Sequence, residues 1–142
     1  MKACFSGAAT EKGLYDRLTK SGGLVDHLGT SDVLEVKERI ATGDGYAKLI
    51  YDAMIYQIGK YIGAYAAVLR GRVDAILLTG GIAHDTYLVD GISDMVSFIA
   101  PVRVYAGEFE MEALAAGALR VLRGEEIAKE YTGIPVWNGF QR

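Results

Sequence analysis

The 142-residue sequence has one cysteine, two histidines and two prolines, and each scarcity excludes something. A lone Cys4 forms no internal disulfide, so the fold must stand on packing, as expected in a reducing cytoplasm. One thiol and the well-separated His27 and His84 do not make a zinc site of soft ligands. Two prolines and no low-complexity stretch argue against a long disordered linker. Charge of one sign is not in excess: 15 Lys and Arg face 18 Asp and Glu, a net charge of −3 with no basic block. Such a balance gives no nucleic-acid surface. Met1 to Ser6 is too short and too mixed for a signal peptide. Lys48, Asp52 and Lys60 interrupt the longest apolar stretch, so no membrane-spanning segment is expected.

What is plentiful is apolar residues, 51% of the chain, and glycine, 18 in all. A chain of this length is one domain or a large part of one, able to bury roughly two thirds of its unfolded surface. The most informative run is Ala75-Ile76-Leu77-Leu78-Thr79-Gly80-Gly81-Ile82. It reads as a short strand, from Val73 to Leu78, entering a paired glycine turn. A continuous branched apolar run suits a strand buried on both faces of a parallel sheet. In open α/β sheets ligands sit beyond the carboxyl ends of strands, where Thr79, Gly80 and Gly81 fall. The same pattern also suits a plain strand-to-helix turn.

In chain order, Thr10 caps a helix through about Lys20, while Cys4 to Gly7 has no evident element. Gly22 to Ser31 reads as a glycine-flanked loop. Asp32 with Glu35 forms a candidate capping box, with Ser31 as the other candidate cap, for a helix ending at Gly43. The longest helix spans about Asp44 to Leu69 and ends at Gly71. Its expected buried face is Tyr46, Ile50, Met54, Ile58, Tyr61, Tyr65 and Leu69. Gly59, Gly63 and Ala67 add a stripe of small residues suited to close packing. The tyrosines are read as packing residues rather than base-stacking ones. A helix from Thr86 to Phe98 capped by Asp85, a strand at Val102 to Tyr105 and a helix from Glu108 to Arg123 follow. One or two further turns at Glu125 to Tyr131 and a surface tail from Gly133 complete the pattern. Helix, strand, helix, strand, helix demands a parallel α/β unit. Two strands are too few for a sheet buried on both faces, so the chain is expected to form part of a larger sheet and to self-associate or pair with a complementing chain.

The run from Gly22 to Tyr131 resembles the C-terminal portion of the butyrate kinases, in the acetate kinase branch of the sugar kinase, Hsp70 and actin superfamily. The resemblance rests on Gly22-Gly23-Leu24-Val25, Leu28-Gly29-Thr30-Ser31-Asp32, Tyr51-Asp52-Ala53-Met54, Val73-Asp74-Ala75-Ile76 and Thr79-Gly80-Gly81-Ile82. Ser97-Phe98-Ile99-Ala100-Pro101-Val102, Glu110-Met111-Glu112-Ala113-Leu114 and Gly117-Ala118-Leu119-Arg120 complete it, all in family order. The resemblance implies an α/β fold, a partial ribonuclease-H-like (actin-like ATPase) domain with a short parallel sheet and packed helices. It implies transfer of the ATP γ-phosphoryl group to a short-chain carboxylate, with Mg²⁺. Thr79, Gly80, Gly81 and Ile82 would form the adenosine-binding turn, and Ser31 and Asp32 the helix start on the adenine and ribose side. Glu110 matches an acidic residue near the metal and phosphates.

Each residue has a second reading. Asp32 also reads as a plain helix cap, and Glu108, Glu110 and Glu112 suit a helix N-terminus through the macrodipole. His84 follows the turn and could line a nucleotide pocket or simply sit in a surface loop. Two departures stand out. Leu34 occupies a position where related kinases often carry arginine, and no glycine-rich phosphate loop of the N-terminal domain is present. The expectation is therefore a nucleotide-side portion, residues 1–142, inactive without its N-terminal half. The competing expectation is a non-catalytic nucleotide-binding or assembly subunit of the same fold.

Overall fold

A computed structural model describes residues 2–7 and 9–134, in two compact units that meet in sequence between Gly107 and Glu108. The first unit begins with α1 (Lys2–Phe5), where no element was expected, and α2 (Glu11–Thr19), capped by the Thr10 hydroxyl accepting from the Gly13 amide at 3.1 Å. The expected loop after it contains a short helix, α3 (Leu24–Leu28), closed by Gly29 at φ 75°. Glycines on both sides hide so short a helix from any periodicity.

Next come α4 (Val33–Ala41) and α5 (Gly45–Val68). Gly43 at φ 96° ends α4, with its amide bonded to the Ile40 carbonyl and that of Asp44 to the Arg39 carbonyl. Paired bonds of this kind satisfy the last carbonyls of a helix. Asp44 then caps α5 through the Ala47 amide at 2.9 Å, and the Arg39 guanidinium grips its carboxylate at 2.8 Å. At the far end of α5 both Arg70, φ 56°, and the expected stop Gly71, φ 71°, are left-handed, and the Gly71 amide closes on the Ala66 carbonyl.

The buried face of α5 also differs from the expected one. Ala47, Tyr51, Ile55 and Gly59 are buried, with Ile50, Met54, Ile58 and Ile62 packed beside them. Tyr46, Tyr61, Tyr65 and Leu69 are exposed. The face is displaced by one residue, about 100° around the axis. A helix apolar nearly all round gives its period no means of choosing a side.

The strand β1 (Ile76–Gly80) pairs in parallel with β2 (Val102–Ala106), Ile76 opposite Val102 and Thr79 opposite Tyr105. Between them lie a 3-10 turn, Gly81–His84, and α6 (Thr86–Val96). One face of β1 meets the core: Ile76 and Leu78 join Tyr51, Ile55, Leu88, Ile92, Val96 and Val102. The other face is open, with Leu77 61% exposed, so burial on both faces does not hold among the described residues. Helices α5 and α6 approach through glycines: a Cβ on Gly91 would lie 2.9 Å from Ile55 Cγ2, and one on Gly59 2.7 Å from Met95 Sδ.

The second unit holds α7 (Glu110–Leu122), ended by Gly124 at φ 74° with the Glu125 amide on the Arg120 carbonyl. No residue of α7 is buried, and residues 125–131 form no further helical turns. Most of the expected tail, residues 135–142, lies outside the described residues.

Candidate functional site

At the end of β1 the backbone turns sharply. Gly80 adopts φ 83°, ψ 175°, a conformation that glycine reaches without steric cost. Its amide donates to the Gly107 carbonyl at 3.2 Å and its carbonyl accepts from the Gly107 amide at 3.1 Å. Gly80 thus anchors the turn and has its main-chain groups engaged. Gly81 follows at an ordinary φ, exposed, with no heavy atom within 4 Å of where a Cβ would stand. The amides leading the 3-10 turn have no partner inside it, so Gly81 and Ile82 present donors at an open surface. Thr79 and Ile82 are exposed beside them, and His84 closes the turn, also exposed.

Ser31 and Asp32 are exposed at the start of α4. Asp32 is the cap: Oδ1 accepts from the Leu34 amide at 2.9 Å, and its own amide donates to Thr30 Oγ1 at 3.1 Å. Thr30 thereby takes the donor that the expected capping box gives to Glu35, and Ser31 does not cap. Leu34 stands 70% exposed on the first turn.

These two segments are joined through a residue whose importance the sequence did not reveal. Asp85 follows the 3-10 turn and caps α6 through the Tyr87 amide at 3.3 Å, as expected. It is also buried, accepting from Lys37 Nζ of α4 at 2.8 Å and from the Tyr51 hydroxyl of α5 at 2.6 Å. Its amide returns to the Ile82 carbonyl at 3.0 Å. Burial pushes the Asp85 carboxyl up, but the hydrogen bonds from Lys37 and Tyr51 outweigh it and hold the group below the usual carboxylate range. Burial and the Asp85 carboxylate together raise the Tyr51 hydroxyl.

Alongside lies a second polar set. Tyr87 stacks on Tyr51 at 6.3 Å between ring centroids and donates to Asp52 Oδ1 at 2.6 Å, while Lys48 Nζ reaches Asp52 at 2.6 Å and the Tyr87 hydroxyl at 2.7 Å. A cavity of about 210 Å³ opens among Lys37, Ile40, Lys48, Tyr51, Asp85 and Tyr87. The remaining histidine, His27, shares a 2.9 Å hydrogen bond with the Tyr46 hydroxyl. Glu110 stands in the first turn of α7, in the second unit. Among the described residues no three His, Cys, Asp or Glu side chains gather as a metal site.

The sequence profile described as the acetokinase family matches residues 7–102, more than half of the chain. The chain belongs to the acetokinase family. Within that family it is 53% identical, over 131 residues, to a protein named probable butyrate kinase 2 from Caldanaerobacter subterraneus subsp. tengcongensis. It is 50% identical over 131 residues to butyrate kinase 2 of Clostridium acetobutylicum. Each alignment takes in 92% of this chain and 37% of the relative. The crystal structure of Porphyromonas gingivalis acetate kinase superimposes with a TM-score of 0.70 at 23% identity, over 82% of this chain and 36% of that one. That likeness bears on the fold alone, and it upholds the partial actin-like domain expected from the sequence. The acetokinase chain thus spans little more than a third of its curated relatives' length. No helix among its described residues is long and apolar enough to cross a membrane.

Proposed function

We propose that this chain is the C-terminal, nucleotide-side portion of a butyrate kinase, which passes the ATP γ-phosphoryl group to butyrate and yields butanoyl phosphate and ADP. The observation that carries the reading is identity of 50% or more to two proteins of that name across 92% of the chain. In this reading Thr79, Gly80, Gly81 and Ile82 are the adenosine-binding turn. The open Gly81 backbone supports it, because a flat ligand can approach there without meeting a side chain. Ser31 and Asp32 flank the adenine and ribose, with the helix start offering the Val33 amide.

Glu110 is the proposed metal-side residue. One carboxylate is a sufficient protein ligand for Mg²⁺ when phosphates and water complete the octahedron. Neutralisation of phosphate charge is what the ion supplies when bound. Phosphoryl transfer depends on positioning and on electrostatic stabilisation of the transferring group. The 142 residues contain no glycine-rich loop for the β- and γ-phosphates, so by themselves they should transfer nothing.

The test is a hybrid in which this chain replaces the matching segment of the Clostridium acetobutylicum enzyme. A folded hybrid should make acyl phosphate from butyrate and ATP, while the 142 residues alone should make none. A folded hybrid that binds ADP yet makes no acyl phosphate would favour the non-catalytic nucleotide-binding or assembly subunit. The open face of β1, with Leu77 61% exposed, and the exposed Tyr61 and Tyr65 of α5 also favour self-association of the isolated chain. A strictly monomeric sedimentation profile at high concentration would count against that.

A further inference from the structure

Of the described residues, Asp85 is the one charged side chain that is buried, at 6% exposure. Capping α6 does not require this. Asp32 caps α4 while exposed, and Asp44 caps α5 with a cationic partner only five residues away. Asp85 instead draws Lys37 from 48 residues away and Tyr51 from 34. A buried carboxylate is costly unless paired and fully hydrogen-bonded, so a cap alone is an inadequate reason for one. The placement offers another reason. Lys37 lies five residues beyond Asp32, about 7.5 Å along the axis of α4. On the other side, the Asp85 amide holds the Ile82 carbonyl at 3.0 Å. One residue therefore grips both the helix that carries Ser31 and Asp32 and the turn that carries Gly80 to Ile82.

We propose that Lys37 and Asp85 are positioning residues whose ion pair fixes the start of α4 relative to the Gly80–Ile82 turn, so that the two nucleotide-facing segments act as one site. The proposal rests on the nucleotide reading above and adds to it two residues outside the segments assigned to ligand contact. Tyr51 is the internal control. It donates to the same carboxylate, yet belongs to α5 and carries no ligand-facing segment.

The experiment measures ADP affinity and amide hydrogen exchange in the full chain for Lys37→Gln, Lys37→Arg, Asp85→Asn and Tyr51→Phe. Lys37→Gln and Asp85→Asn should each weaken ADP binding by about three- to thirtyfold, the range of coupling carried by such networks. Exchange should accelerate together at residues 33–37 and 81–85. Lys37→Arg should restore both properties. Tyr51→Phe, which keeps the Lys37–Asp85 ion pair but removes a second bond to the same carboxylate, should lower stability with a smaller loss of ADP affinity than Lys37→Gln; equal losses of affinity would reduce the ion pair to a structural role. ADP affinity unchanged by Lys37→Gln, or faster exchange confined to residues 81–85, would overturn the proposal and leave Asp85 as a cap. If the unmodified chain binds no ADP, the nucleotide reading fails; the exchange pattern of Lys37→Gln then decides the positioning claim independently.

Discussion

Gly80 and Gly81 are neighbours with different reasons for being glycine. Gly80 is held at φ 83°, ψ 175°, so Gly80→Ala should cost about 1–3 kcal/mol of stability although nothing crowds the new methyl. Gly81 has an ordinary φ and open space, so Gly81→Ala should stay within about 0.5 kcal/mol of the parent. If ADP approaches the backbone there, the same substitution should still weaken its binding; urea melts and titration calorimetry separate the two effects. Leu34, 70% exposed beside the Asp32 cap, is the other informative position. Leu34→Arg should strengthen ADP binding if this turn faces the adenine, and unchanged affinity would remove Leu34 from the site. Acid acts through the aspartates. The Asp44 carboxyl is lowered by the Ala47 amide and Arg39; at Asp52 burial raises the carboxyl, but Lys48 and Tyr87 outweigh it, as Lys37 and Tyr51 do at Asp85. Depressed folded-state values mean stability that is complete above the unfolded value, near pH 4, and lost as pH falls through the folded values. Melting temperatures should therefore drop steeply below pH 4, with a shallower drop in Asp85→Asn; a flat profile down to pH 3 would contradict the pairing.

At the scale of elements, the contact between α5 and α6 depends on where side chains are missing. Gly91→Ala pushes a methyl to 2.9 Å from Cγ2 of buried Ile55 and should destabilise by about 1–3 kcal/mol. Gly63→Ala, four residues beyond Gly59 on the same helix but with nothing within 4 Å, should stabilise by about 0.5–1 kcal/mol. Thermal melts of the two variants should move in opposite directions. The sequence stripe of Gly59, Gly63 and Ala67 could not separate these cases, because small residues mark a close approach only where a partner arrives. Helix starts were easier to read. Thr10, Asp32 and Asp85 cap the helices they were expected to cap, and Asp44, expected only as the start of the longest helix, caps it too; capping is local chemistry within three residues. The buried side of α5 and the ion pair of Lys37 with Asp85 were not legible, since both depend on partners dozens of residues away.

For the molecule as a whole, the glycine turn and the family were readable from short motifs in order. The open face of β1 was not, because an apolar strand looks the same whether or not its second face is covered by this chain. Relatives of which this chain covers only 37% give such a face a reason to be apolar. In the proposed reading the Gly80–Ile82 turn and the start of α4 bind adenosine. Titration calorimetry of the 142-residue chain with ADP and Mg²⁺, with butyrate as control, tests it most directly. Saturable ADP binding that weakens in Gly81→Ala, with no heat from butyrate, is expected. Absence of ADP binding by the folded chain, or binding indifferent to Gly81→Ala, would contradict it.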